Sequence, residues 1–177
     1  MKYLLYAGIL GFSFWMISEI IEIINGYNST VYYLTSGYHL LAGIGIWGLY
    51  KVQLNNKNKL GKIGAVITLI AYLSLTYFPI TVMNSGLNLS EFIDANPIYK
   101  IFGGFWFLGM ILFGISLTKT EYFPLWTAIV FIIGTIIFTA TPLLAWPTIL
   151  ANCTNIVFSL TVIYMCVFGL NKLNNNH

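Results

Sequence analysis

Glu19, Glu22 and His39 are the residues most able to do chemistry, because each interrupts a run that is otherwise apolar. Glu19 and Glu22 lie within Tyr3 to Ile24, and His39 lies within Val31 to Tyr50. Three residues apart on a helix, the two carboxyls share a face. Such groups can take up a proton or neutralise a small cation, and an imidazole beside them can share the proton. Placing an ionised group at mid-helix in a membrane costs about 2.5–3.5 kcal/mol on insertion scales, so two in one span need a reason.

Further polar residues fall at comparable depth in the later apolar runs. They are Tyr77, Thr81 and Asn84, then Lys100, then Thr139 and Thr141, and finally Asn152 and Asn155. The opposite half has few, among them Ser116, Thr127 and Tyr164. The expectation is a polar pocket open to the outer face, lined by Glu19, Glu22, His39, Tyr77, Asn84, Asn152 and Asn155. Glu19 stands about six residues before the end of its run, roughly 9 Å deep at 1.5 Å per residue. His39 reaches a similar depth, so the two could meet. Ordinary readings stand beside this one. Glu22 at an interface can simply touch water, and a Glu19–His39 pair can tie two helices together. Thr and Ser in spans commonly bond back to their own helix, and interhelical hydrogen bonds account for Asn152 and Asn155.

Other chemistry finds no residues. A metal site needs three or four His, Cys, Asp or Glu ligands; His39 is the only histidine in the apolar part, since His177 ends a polar tail, and a Glu19, Glu22, His39 set is conceivable but has the spacing of no known motif. Cys153 and Cys166, thirteen positions apart, face different directions and read as packing residues. No HExxH, GxSxG, phosphate-binding glycine loop or rhomboid-like Ser/His arrangement occurs. No cofactor is expected, and a nucleic-acid role is implausible for the lysine-bearing loop. Asn28-Ser29-Thr30 and Asn88-Leu89-Ser90 match a glycosylation pattern that an Asn-rich chain shows by chance.

The elements that must position these groups follow from composition. Hydrophobic residues make up 58% of the 177 and charged residues 7%, against about 25% charged in a soluble domain. The bilayer must therefore be the main partner. Six runs have roughly the 20 residues needed to span: 3–24, 31–50, 63–83, 98–118, 123–144 and 148–170. They are continuously apolar, unlike the short alternating strands of a barrel. The expectation is one all-α domain over 1–177, a bundle of six transmembrane helices. The first run is long enough to be a retained helix, with no convincing cleavage site after it.

Lysines set the orientation. Lys51, Lys57, Lys59 and Lys62 cluster between the second and third runs, and Lys2, Lys119 and Lys172 fall on the same side. Only Lys100 falls on the other, so both termini are expected in the cytoplasm. Glu91 and Asp94 occupy the longest outer loop. Pro97 and Pro124 sit where helices begin, and Pro79 and Pro142 where the third and fifth runs kink or end. Leu41-Ala42-Gly43 with Trp47-Gly48-Leu49 recurs as Phe107-Leu108-Gly109 with Phe113-Gly114-Ile115, a match that fits duplicated hairpins and that a glycine-rich apolar chain also produces by chance.

His39-Leu40-Leu41 leading to Gly48-Leu49-Tyr50-Lys51 resembles the second span of a group of small bacterial multi-spanning membrane proteins. Phe107 to Ile115 with Phe123-Pro124-Leu125-Trp126 is similar to their later hairpin. The resemblance implies a multi-pass fold in a bacterial cytoplasmic membrane and transfers no function. Three functions are compatible with the residues. The first is binding or transport of a proton, cation or cationic amphiphile at the outer pocket. The second is an accessory, sensor or immunity-type protein meeting a protein partner through small-residue faces such as Ala7/Gly11. The third is an intramembrane lipid or isoprenoid enzyme using Glu19 and His39 as acid and base.

Overall fold

The structure is a computed structural model that describes residues 1–53, 58–87, 89–144 and 146–175. It is 87% helix with no strands among the described residues, which decides for helices over a barrel. The helices are α1 (Lys2–Asn25), α2 (Ser29–Val52), α3 (Lys59–Leu75), α4 (Phe78–Ser85), α5 (Leu89–Ala95), α6 (Ile98–Thr118), α7 (Leu125–Leu143) and α8 (Thr148–Asn175).

Four stretches are long and apolar enough to cross a membrane: Lys2–Asn25, the α3–α4 rod Lys59–Ser85, Ile98–Thr118 and Thr148–Asn175. The apolar helix Leu125–Thr141 is shorter. α2, with 24 residues, has the length but is diluted by glycines, tyrosines and His39. Ile17, Ile24, Ile70, Ile101, Phe105, Ile133, Val157 and Leu160 project from the outside of the bundle. An exterior so apolar on every side is consistent with an integral membrane protein, whose solvent is lipid.

Local chemistry fixes where the helices start and stop. Asn28 caps α2 by accepting from the Thr30 and Val31 amides, at 3.0 and 3.2 Å, so this residue of a glycosylation triplet has a structural task. Asn58 caps α3 through the Gly61 amide and also donates to the Ser116 carbonyl on α6. Pro97 and Pro124 precede the first turns of α6 and α7. The third run is not one straight helix: a turn at Thr76–Tyr77 separates α3 from α4, with Pro79 in the first turn of α4. Proline lacks the N–H that would continue α3's ladder. α7 runs on past Pro142 and stops at Leu143. α8 continues beyond Leu170 to Asn175, and the connection from α4 to α6 contains α5. Lys57, Asn88 and His177 lie outside the described residues.

The rods close into a ring, α1 against α2, α2 against α3, α3 against α6, α6 against α7, α7 against α8, and α8 back on α1. Glycines set the closest crossings. A Cβ on Gly45 would overlap the Gly8 backbone, and one on Gly11 would fall 2.8 Å from the Ala42 amide nitrogen. On the far side, a Cβ on Gly64 would fall 2.5 Å from the Phe113 amide nitrogen, and one on Gly109 would press the Thr68 backbone. Only hydrogen at these positions lets the backbones meet, as in small-residue membrane helix pairs.

The duplicated-hairpin reading does not extend to packing. Gly43 and Gly109 both face α3, whereas Gly48 faces α1 and Gly114 faces α7, so the matched glycines meet non-equivalent neighbours.

The crossings predict a contrast between two glycines. Gly45→Ala should lower stability by at least about 2 kcal/mol through overpacking. Gly103→Ala, where an added methyl meets nothing within 4 Å, should raise it by about 0.5–1 kcal/mol. Thermal unfolding of the purified variants checks both signs.

Candidate functional site

Every rod sends an aromatic side chain to the middle of the ring, and α1 adds Phe12, which packs on Tyr38 and Phe158. Trp15 (α1) stacks on Tyr38 (α2) with centroids 4.5 Å apart. Tyr38 meets Tyr72 (α3) edge-on at 5.3 Å, and Tyr72 meets Trp106 (α6) at 6.2 Å. Trp106 meets Phe138 (α7) at 5.2 Å, and Phe138 returns to Trp15 at 5.6 Å. Phe158 (α8) packs against Trp15 at 5.7 Å. Edge-to-face and offset arrangements of this kind contribute about 0.5–1.5 kcal/mol each beyond burial. The layer fills the centre and leaves its polar handles paired. The Tyr38 and Tyr72 hydroxyls share a 2.5 Å hydrogen bond, the Trp106 side chain is a further partner of Tyr72, and the Trp15 indole N–H donates to Glu19 Oε1 at 2.5 Å.

Glu19 sits directly above this layer and is 7% exposed. Besides Trp15, the Asn155 side chain of α8 is within its hydrogen-bonding reach. One turn nearer the helix end, half-buried Glu22 has the same relation to Asn152. Asn152 and Asn155 are each 3% exposed. This pairing is a consequence of register. α1 and α8 run antiparallel, Leu5 meeting Gly169 and Gly8 meeting Cys166. As numbers rise by three along α1 they fall by three along α8, which brings Asn155 to Glu19 and Asn152 to Glu22. The result is a ladder of two carboxyls and two amides from the end of the bundle down to the aromatic layer.

The other expected members are elsewhere. No hydrogen bond or ion pair joins His39 to Glu19 among the described residues. His39 lies between Tyr38 and Tyr72, at ring distances of 5.1 and 5.8 Å, and its Nδ1 is buried without a hydrogen bond. One residue along α2 turns a side chain through about 100°, so Tyr38 takes the position beside α1 and His39 turns to α3. Tyr77 is 73% exposed and lines a surface groove of about 370 Å³ with Ser36, Gly37, Leu40, Leu73, Thr76 and Ile80. Asn84 is exposed on α4. Lys100 leaves the polar layer altogether, pairing with Asp94 at 2.8 Å on the surface. Thr81, Thr139 and Thr141 bond back to their own helices.

No group of three or more His, Cys, Asp or Glu is placed to hold a metal among the described residues. Sequence reasoning missed Trp15, although it stands four residues before Glu19 at hydrogen-bonding helical spacing, and it missed the other aromatics because nothing in a sequence assigns them to one layer. The fold and site thus define a helical membrane-type bundle with a buried carboxyl above an aromatic plug. The chain matches no protein-family model, no curated protein and no solved structure, so its function is read from these residues.

The hydroxyl chain makes an asymmetric prediction. Tyr72→Phe deprives both Tyr38 and Trp106 of a partner and should cost more than Tyr38→Phe, by on the order of 1 kcal/mol. In a double-mutant cycle, the pair should cost less than the two single changes together. Strict additivity in thermal unfolding would show that the hydroxyls do not interact.

Proposed function

We propose that the protein binds a proton or small cation at Glu19, through a polar ladder that opens at the outer face of a six-span bundle. The observation that carries this reading is the lack of a protein counter-charge. Glu19 is buried and Glu22 half-buried on one helix face, yet among the described residues no ion pair is found to either of them. A carboxylate at membrane depth must be neutralised by something. With no lysine or histidine beside it, the neutralising charge comes from outside the protein. Glu22 and Asn152 supply hydrogen-bonding steps between Glu19 and the bundle end.

The antiparallel order supports the orientation. Lys2, Lys51, Lys59, Lys62, Lys119 and Lys172 all belong to helix ends at one side of the ring, the side the positive-inside rule assigns to the cytoplasm. Glu19 and Glu22 lie toward the other side. A proton or small cation suits the site better than a cationic amphiphile, since Glu19 is enclosed by Trp15, Asn155 and the aromatic layer, and the groove lined by Tyr77 does not include it. The plug also favours binding over free conduction: passage to the basic side would require the aromatic layer to part. Acid–base catalysis gains no support, because His39 is turned away from Glu19. Docking through Ala7/Gly11 gains none either, because Gly11 is packed against α2.

Purified wild type should change melting temperature with pH or with cation concentration, and Glu19→Gln should lose that response while remaining folded. A ligand at a hundredfold its Kd stabilises by about 2.7 kcal/mol. Identical responses in both proteins would overturn the assignment. For topology, a chain with Cys153 and Cys166 replaced by serine should react with an impermeant maleimide on intact cells through Ala95→Cys and not through Glu121→Cys. The reverse pattern would invert the orientation, and labelling of both or neither would refute the span count.

A further inference from the structure

We propose that Glu19 is one ligand of a sodium-type site completed by the Asn155 carbonyl and the Ser159 hydroxyl, at which the cation and a proton compete. This deepens the Glu19 reading and rests on it. Asn155 is 3% exposed and Ser159 0%, yet Asn155 Oδ1 and Ser159 Oγ are both buried without a hydrogen-bond partner. Buried oxygens are nearly always satisfied, and the exceptions call for an explanation. Four residues apart, the two share one face of α8. The antiparallel register sets Asn155 opposite Glu19 and Ser159 opposite Trp15, the residue that fixes Glu19 Oε1. An asparagine can only donate to a carboxylate, so a hydrogen bond to Glu19 comes from its amide nitrogen, and the carbonyl oxygen is the atom found without a partner.

The donor chemistry selects the ligand. One carboxylate, one amide carbonyl and one hydroxyl are hard oxygen ligands carrying a single negative charge. Calcium takes six to eight oxygens, usually with several carboxylates, and magnesium retains its waters. Zinc and copper favour imidazole or thiolate, and neither is present here. A monovalent alkali cation matches both the charge and the ligand type. The titratable groups around the site are few. Glu22 stands one turn outward on α1, Tyr38 faces it from α2 and Tyr27 from the turn between them. α8 presents Asn152, Asn155 and Ser159, all uncharged. Protonating Glu19 therefore removes the site's charge, and the cation is released as the proton enters.

The test is isothermal titration of the full-length purified protein with sodium chloride, against choline chloride at equal ionic strength, over a pH series, with melting curves in parallel. Wild type should bind sodium, with affinity falling about tenfold per pH unit once Glu19 is mostly protonated. Ser159→Ala should weaken sodium about tenfold, the loss of one charged-group contact, and keep the pH response of melting. Glu19→Gln should lose both. Unaltered sodium affinity in Ser159→Ala overturns the three-ligand site, and a wild type that responds to pH without binding sodium overturns it and leaves Glu19 as a proton site. A wild type that responds to neither sinks both readings. If Ser159→Ala does not fold, the pH dependence of sodium affinity in wild type decides, and a pH-independent affinity rejects the competition.

Discussion

The contact on which the rest of the structure depends is the grip on α1 at Gly8. Its one open face meets both the Gly45 backbone of α2 and the Cys166 sulfur of α8, where a Cβ would fall 3.1 and 2.8 Å from them. A helix held at one height by two neighbours has its rotation and its register fixed along its whole length. Two turns further on, Trp15 must lie beside Tyr38, and one turn beyond that Glu19 must lie beside Asn155. The site is thus positioned by packing about three turns away from it, through rigid antiparallel pairs whose pitch is set by the α-helix itself. The α3–α6 crossing at Gly64 and Gly109 does the same on the opposite side, bringing Tyr72 to Trp106.

In hydrocarbon there is little hydrophobic drive for helices to associate, so packing and polar contacts carry the bundle. The aromatic layer combines both. Its rings supply area and geometry, and their indole and hydroxyl groups bond to one another or to Glu19 rather than to lipid. Filling the centre also separates the two ends of the molecule chemically. Above lies a ladder of acids and amides, and below lie threonines and serines bonded to their own helices. At the basic end Lys172 donates to the Tyr122 carbonyl at 3.0 Å and lies 4.4 Å over that ring, tying the α6–α7 connection to α8.

Much of the candidate site was legible as a set of residues, and little of it as an arrangement. Glu19, Glu22, Asn152 and Asn155 stand out because polar groups in apolar runs are few, and they do converge. His39, Tyr77, Asn84 and Lys100 stand out for the same reason and do not. Depth along a helix can be counted from the sequence, but facing direction cannot: His39 and Tyr38 are at nearly the same depth, and which of them meets α1 depends on the α1–α2 crossing. Ser159 and Trp15 drew no attention because a serine or tryptophan in an apolar run is unremarkable until its neighbours are known.

From the residues alone follow the helical class, an apolar composition that calls for lipid as solvent, most of the helix ends, and the clustering of lysines at one end. These follow from composition, run length and local chemistry such as the Asn28 cap and the prolines, none of which needs a distant partner. Tertiary structure alone decided that six rods close into a ring, that aromatics from every rod fill its centre, and that Glu19 pairs with Trp15 and Asn155 instead of His39. Those outcomes depend on helix rotation, and rotation is set by where backbone can meet backbone at Gly8, Gly45, Gly64 and Gly109.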